Sequence, residues 1–288
     1  MQTIAKTAVM AGNLELPSQV VIAPFCVLEE NAAIGEGVEL GVGCVLGSGA
    51  NIGPGSRLGH YVTVGAGACI GADSTIGDHT TVYPGTVVGK GCFIGSSSSV
   101  GRRPKPAKTS TVKVEAGLPP LQLGDAATIG CSAVLYAGTT YGEGVFVGDS
   151  ATVRERCQIG DYVVIGSGAA VENDTKIGAY TKIQTGSYIT AYMDIGERVF
   201  IAPMVTTTND NFMGRTEKRF KLVKGATIGR GARIGGGAIL LPGINIAAET
   251  FVAAGALVTR DTPEARVVKG FPARDAGGVP AEELLPEE

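Results

Sequence analysis

The segment Thr206–Lys224 reads TTTNDNFMGRTEKRFKLVK and gathers the side chains best suited to chemistry in this chain. Asn209, Asp210 and Asn211 supply polar donors and acceptors, Phe212 an aromatic face, and Arg215, Lys218, Arg219 and Lys221 a cluster of cations. That mixture suits a nucleotide or acyl-thioester ligand better than a plain linker, because cations pair with phosphate. A long excursion between regular elements is also more often functional than idle. A second excursion, Gly101–Gln122, carries Arg102, Arg103, Lys105, Lys108 and Lys113 among Pro, Ser and Thr. It reads either as a solvated basic loop or as an arm reaching a neighbouring subunit or an anionic ligand. The chain has two histidines, His60 and His79, and both lie in its first half, away from the Thr206–Lys224 segment.

The elements that hold these segments announce themselves by a period of six. From Ile22 to Val100 every sixth residue is Ile, Leu or Val; the comb restarts at Leu123 and runs to Ile201, with Tyr141 its one non-aliphatic tooth. A third stretch runs from Ile228 to Val258. Six matches neither the 3.6 of a helix nor the 2 of a strand, so the chain is a repeat architecture. A unit such as Ile52-Gly53-Pro54-Gly55-Ser56-Arg57 places an aliphatic inward and a small residue at the fifth position, sharing a narrow interior. Gly at the intervening positions suits corners with positive φ or closely packed backbones. Three such edges close one triangular coil, and stacked coils form parallel sheets about 4.8 Å apart. The expectation is an all-β parallel β-helix of about ten triangular coils. An N-terminal cap (1–15) precedes it, the coils span 16–260 with loops 101–122 and 206–225 extruded, and a short tail covers 261–288.

Composition narrows the function. Net charge is −3, against a dedicated nucleic-acid binder. No apolar run is long enough to span a membrane, and Met1–Ser18 lacks a charged start followed by an apolar core, so a cytoplasmic protein without membrane association is expected. Of the six cysteines, Cys26, Cys44, Cys92 and Cys157 fall at the small inward position, and no CxxC occurs. They read as buried free thiols, and no metal is expected.

These repeats resemble the hexapeptide-repeat acyltransferases, a resemblance that covers about Leu16 to Arg274 and implies a left-handed coil. The run Gly235-Gly236-Gly237-Ala238-Ile239-Leu240-Leu241-Pro242-Gly243 is similar to the C-terminal coils of the CoA-dependent members. So are Ala253-Ala254-Gly255-Ala256-Leu257-Val258-Thr259-Arg260-Asp261 and Gly270-Phe271-Pro272-Ala273-Arg274, with Phe271 in place of the usual Asn. The resemblance implies acetyl-CoA as cosubstrate, lying in a groove between subunits of a homotrimer. Ala238 and Ala256 would then meet the pantetheine arm, and Arg260 and Arg274 the phosphates.

A second resemblance concerns the acceptor. Val199-Phe200-Ile201-Ala202-Pro203-Met204-Val205-Thr206-Thr207-Thr208-Asn209-Asp210 is similar to a segment of nucleotide-linked amino-sugar N-acetyltransferases, and Lys182-Ile183-Gln184 to a coil upstream of it. Where those enzymes continue Gln-Asn-Asn, this chain has Gln184-Thr185-Gly186. The implied reaction is direct attack of the sugar amine on the thioester of acetyl-CoA. Asn209, Asp210 and Asp194 are the candidates to orient the acceptor or take its proton; Gln184, Asn211, Phe212 and Arg215 are the candidates to bind it. A hydroxyl must be deprotonated to attack a thioester, commonly by His, whereas a neutral amine is already nucleophilic. The lack of His between Thr206 and Arg274 therefore favours an amine. The alternatives are an O-acetyltransferase or small-amine acyltransferase using His79 or His60, and a non-catalytic β-helix scaffold.

Overall fold

The computed structural model describes residues 2–12, 14–109, 117–278 and 284. Among these the chain forms short strands joined by corners, plus one helix, Arg219–Leu222. In Asn51–Ile52 the asparagine faces solvent while Ile52 is sealed inside; Arg57–Leu58 repeats the arrangement at the next edge. Each inward aliphatic contributes about 1.5–3 kcal/mol by burial, so the comb is the core. The small fifth position completes it. Where that residue is polar its hydroxyl is satisfied along the coil: Ser56 Oγ donates to Gly71 O at 2.9 Å, and Thr181 Oγ1 to Gly196 O at 2.7 Å. The thiols of Cys26 and Cys44 take the same fifth position at another corner and face Gly41 O and Gly59 O at 3.1 and 3.0 Å.

The chain divides into two compact units, Met1–Ser150 and Ala151–Glu288. In the first, a parallel face of eight strands runs from Thr3–Ile4 to Phe146–Val147, in a register where Arg57 pairs with Thr75 and Leu58 with Ile76. In the second, the corresponding face has six coil strands, from Val164–Ile165 to Arg266–Gly270, and Ala273–Gly278 then folds back antiparallel on the last. Two further parallel faces complete the triangle in each unit.

These levels amount to about fourteen turns, in place of the ten expected from the comb. Two features add strands beyond the aliphatic comb. Residues 2–12, expected as a cap, already form coil strands: Thr3 pairs with Val21, Ile4 with Ile22, and Val9 with Val27. Thr207 is also a tooth of the comb, buried with 1% exposure, although it is polar. Its Oγ1 accepts the Thr190 N–H at 2.8 Å and donates to Tyr188 O at 3.1 Å, which makes burial affordable for a hydroxyl.

Both excursions leave a coil at the corner between its second and third faces. The first departs after Ser99–Arg102 and rejoins at Gln122–Leu123; Lys113 lies outside the described residues. The second departs after Thr206–Thr207 and rejoins at Thr227–Ile228. Register is kept across it, since Asp194 and Ile195 pair with Thr227 and Ile228. Close packing elsewhere needs glycine: a Cβ on Gly229 would stand 2.5 Å from Ala248 N.

Candidate active site

The second excursion is pinned at its base and in its interior. Asn209 Nδ2 donates to Ala191 O at 3.3 Å on the coil below, and Asn209 O accepts the Lys224 N–H at 3.0 Å, closing the neck. Thr208 Oγ1 donates to Leu240 O at 3.0 Å on the coil above. Inside the loop, Asp210 Oδ1 accepts the Phe212 N–H at 2.8 Å, and Oδ2 accepts the Gly214 N–H at 3.0 Å and Arg219 Nη1 at 2.6 Å. The Gly214 and Phe212 amides, then Arg219, hold the Asp210 carboxyl below the usual aspartate range. The carboxylate has three donors and sustains loop shape. The Arg219 guanidinium also lies over the Phe220 ring, 5.0 Å from its centroid. Asn211 and Arg215 are left exposed and Phe212 half-buried, so the loop presents an amide, a cation and an aromatic edge to solvent.

The other expected residues occupy different edges of the same unit. Gln184 is half-buried at the corner after Lys182–Ile183, its N–H donating to Ile201 O at 2.9 Å. Asp194 faces outward on the third face, flanked in register by Lys176 and Thr227. Ala238 and Ala256 are 0% and 1% exposed, with methyls in the interior. Their backbone groups serve the coil: Ala238 O accepts from Thr206 N and Ala256 O from Ile239 N. The open positions on that corner are their neighbours Gly237 and Gly255, where an added Cβ would meet nothing within 4 Å. Arg260 is exposed, and Arg274 is exposed with Nη1 donating to Ala273 O at 2.9 Å. Of the expected residues, Asn209 through Arg215 are thus gathered by one loop, while the remainder are spread over other corners and faces.

One cluster escaped the sequence reading. On the corner that carries the loop, the usual Gly-x-Gly gives way to Arg154-Glu155-Arg156 and, one coil on, Glu172-Asn173-Asp174. Glu155 is fully buried and receives Arg154 Nε and Nη2 at 2.8 and 3.0 Å. Arg154 Nη1 reaches Glu172 Oε2 at 3.3 Å, and Arg156 takes Asp174 with two bonds of 2.7 Å. Charged residues replacing corner glycines at an eighteen-residue spacing were the available signal.

The two histidines lie in the first unit. His60 Nδ1 accepts the Val42 N–H at 3.0 Å, and the His60 backbone N–H donates to Asp78 Oδ1 at 2.7 Å. The ring is thereby held by a backbone donor at Nδ1. A groove of about 370 Å³ beside it is lined by Glu39, Arg57, Thr75 and Asp78. His79 stacks on Tyr61, centroids 5.2 Å apart and planes at 8°. Among the described residues, no group of three or more His, Cys, Asp or Glu is placed to hold a metal, and no helix is long and apolar enough to cross a membrane.

Comparison with known proteins bears on the repeats. Residues 43–78, 138–173 and 156–191 match the family described as Bacterial transferase hexapeptide (six repeats). The "Putative acetyltransferase YJL218W" of Saccharomyces cerevisiae is 40% identical over 83 residues, 28% of this chain and 42% of that protein. This chain therefore spans less than half the length of that relative. Among solved structures, a mutant of GDP-perosamine N-acetyl transferase from Caulobacter crescentus, in complex with CoA and GDP-perosamine, is 28% identical. It is matched over 50% of this chain and 53% of that chain, with a TM-score of 0.34. The UDP-N-acetylglucosamine acyltransferase of Francisella novicida is 16% identical, covering 98% of this chain and 70% of that chain with a TM-score of 0.40.

Proposed function

We propose that the chain, whose repeats match the bacterial transferase hexapeptide family over residues 43–78 and 138–191, is an acetyl-CoA-dependent N-acetyltransferase of the hexapeptide-repeat acyltransferases, acting on the amine of a nucleotide-linked amino sugar. The observation that carries this reading is the built loop. Asn209 and Asp210 hold it in one shape so that Asn211, Phe212 and Arg215 stand ready on its outside. An amide, an aromatic edge and a guanidinium are what a sugar, a base and a diphosphate require.

In this reading Gln184 and Asp194 contact the acceptor from a second copy of the chain within a homotrimer, since they lie on other edges of the unit. CoA runs along the corner marked by Ala238 and Ala256, touching backbone at the open glycines beside them, with Arg260 and Arg274 on its phosphates. The neutral amine attacks the thioester without prior deprotonation, which fits a second unit devoid of histidine. The reaction belongs in the cytoplasm and requires no metal. Calorimetry with CoA, followed by CoA-release assays across nucleotide-linked amino sugars, tests the reading. A chain that binds no CoA is a scaffold and the reading fails.

A further inference from the structure

The groove beside His60 lies in the first unit, Met1–Ser150, and acetyl transfer gives it no role. It exists because three successive coils need glycine at one corner. A Cβ on Gly41 would stand 2.5 Å from the Gly59 carbonyl, and one on Gly77 would stand 2.5 Å from Ser96 N. A Cβ on Gly59 would collide with Asp78 Oδ1. With no side chains there, a recess of about 370 Å³ is left beside the sheet, within the range of small-molecule sites, about 300–1,000 Å³. One side of it is the outward column Val21, Glu39, Arg57 and Thr75, in register from coil to coil.

The polar side chains on this groove keep bonding capacity to spare. Glu39 Oε1 and Arg57 Nε meet only at 3.6 Å, with 51% and 69% of the side chains exposed. That contact is too long for a hydrogen bond. Asp78 spends Oδ1 on the His60 N–H, which leaves Oδ2. His60 spends Nδ1 on the Val42 N–H, which leaves Nε2. Both ends of the outward column are apolar. Val21 is 41% exposed, and Phe93, in register with Thr75, is 49% exposed. One residue further round the corner, Tyr61 and His79 stack with planes at 8°. The Tyr61 ring rests on Gly43, where an added Cβ would stand 2.7 Å from two ring carbons. Both rings are carried on backbone at positive φ, 54° and 58°, where glycine is favoured.

Two carboxylates, Glu39 and Asp78, face one guanidinium, Arg57, so the groove repels a phosphate or a carboxylate. Neutral hydroxyls suit it, because they donate to the carboxylates and accept from the guanidinium. These groups repeat at the coil spacing of about 4.8 Å, comparable with the breadth of a pyranose ring. Apolar surface at the ends of the column suits the C–H faces of such a ring. We propose that the groove of the first unit binds a neutral pyranose sugar. Glu39 and Asp78 accept its hydroxyls, Arg57 donates to them, and Val21 and Phe93 meet its C–H faces. The Tyr61–His79 stack extends the apolar surface beyond the first ring. This site differs in chemistry from the loop of the second unit, which offers a cation and an aromatic edge suited to a nucleotide. It uses none of the residues assigned to acetyl transfer, so it stands apart from that reading.

The test is saturation-transfer NMR with calorimetry on the full chain, without CoA or nucleotide. The probes are methyl glucoside, methyl galactoside, N-acetylglucosamine and inorganic phosphate. At least one of the sugars should bind saturably in the millimolar range, as expected for so small a ligand, and phosphate should not compete. Glu39→Gln with Arg57→Gln, and separately Asp78→Asn, should weaken binding about tenfold or more. Asparagine at position 78 can still accept the His60 N–H, so the corner keeps its shape, as the melting temperature should report. Thr75→Phe, a change at an exposed position, should abolish binding by filling the recess. Should Asp78→Asn fail to fold, the surface variants at residues 39, 57 and 75 decide. Failure of all three sugars to bind, displacement by phosphate, or binding that survives the groove variants overturns the inference. CoA-release assays judge the acetyltransferase reading separately, since neither result depends on the other.

Discussion

Asp210 Oδ2 accepts Arg219 Nη1 at 2.6 Å, so the carboxylate next to the loop's neck is tied to the first residue of its helix. Both side chains are largely shielded, at 15% and 16% exposure. The pair makes the loop a preformed surface, with the Phe212 and Gly214 amides as additional ties.

Removing the tie should loosen the loop and spare the coils. In Asp210→Ala the amides of residues 211–223 should exchange with deuterium about tenfold faster or more, while the melting temperature of the core stays within error of wild type. Hydrogen-exchange mass spectrometry checks this. Unchanged protection would mean that the neck, Asn209 to Lys224, suffices.

Acid should reproduce the mutation. The folded Asp210 carboxyl titrates below its unfolded value, held there by the Gly214 and Phe212 amides and then by Arg219. Its contribution is therefore complete above the unfolded value of about 3.9 and disappears as pH falls through the folded one. Glu172 has the opposite sign. Raised by burial, it disfavours the folded state once pH exceeds its folded value, a penalty relieved on acidification. Loop protection should thus persist at pH 5 and fail only in stronger acid, as read by exchange at stepped pH.

Thr207→Val should destabilise the coil at the base of the loop. The valine fills the same space but leaves the Thr190 N–H, bonded to Thr207 Oγ1 at 2.8 Å, without its acceptor in a buried position. The expected cost is about 1–3 kcal/mol, measured by denaturant unfolding. Thr207→Ser should retain most of the stability.

The two cations near the end of the chain should matter for the cosubstrate alone. Arg260→Ala with Arg274→Ala should weaken CoA binding about tenfold or more, since each charge-assisted phosphate contact contributes on the order of 1.5–3 kcal/mol. The melting temperature should hardly move, because both side chains are exposed. Calorimetry in low and high salt checks the electrostatic origin.

Much of this architecture was legible because period six admits few structures. Teeth such as Ile52, Leu58 and Ile183 were identified as core and are buried. The first coil was missed because Thr3–Met10 lacks the glycine corners that make the comb visible, and Thr207 because its polarity is satisfied by partners distant in sequence. The loop was found from composition alone. Its internal bonds were not, since they depend on how the chain turns at Met213 and Gly214, both at positive φ. The Arg154–Glu155–Glu172 cluster was overlooked because residues eighteen apart become neighbours only when the coils stack.

The central claim is acetyl transfer to a nucleotide-linked amine, and mass spectrometry of the reaction products addresses it most directly. Incubation with acetyl-CoA and a nucleotide-linked amino sugar should yield one N-acetylated sugar per CoA released, while the matching hydroxy sugar stays unmodified. Acetylation of the hydroxy sugar, or CoA binding without transfer to any amine, would contradict the account.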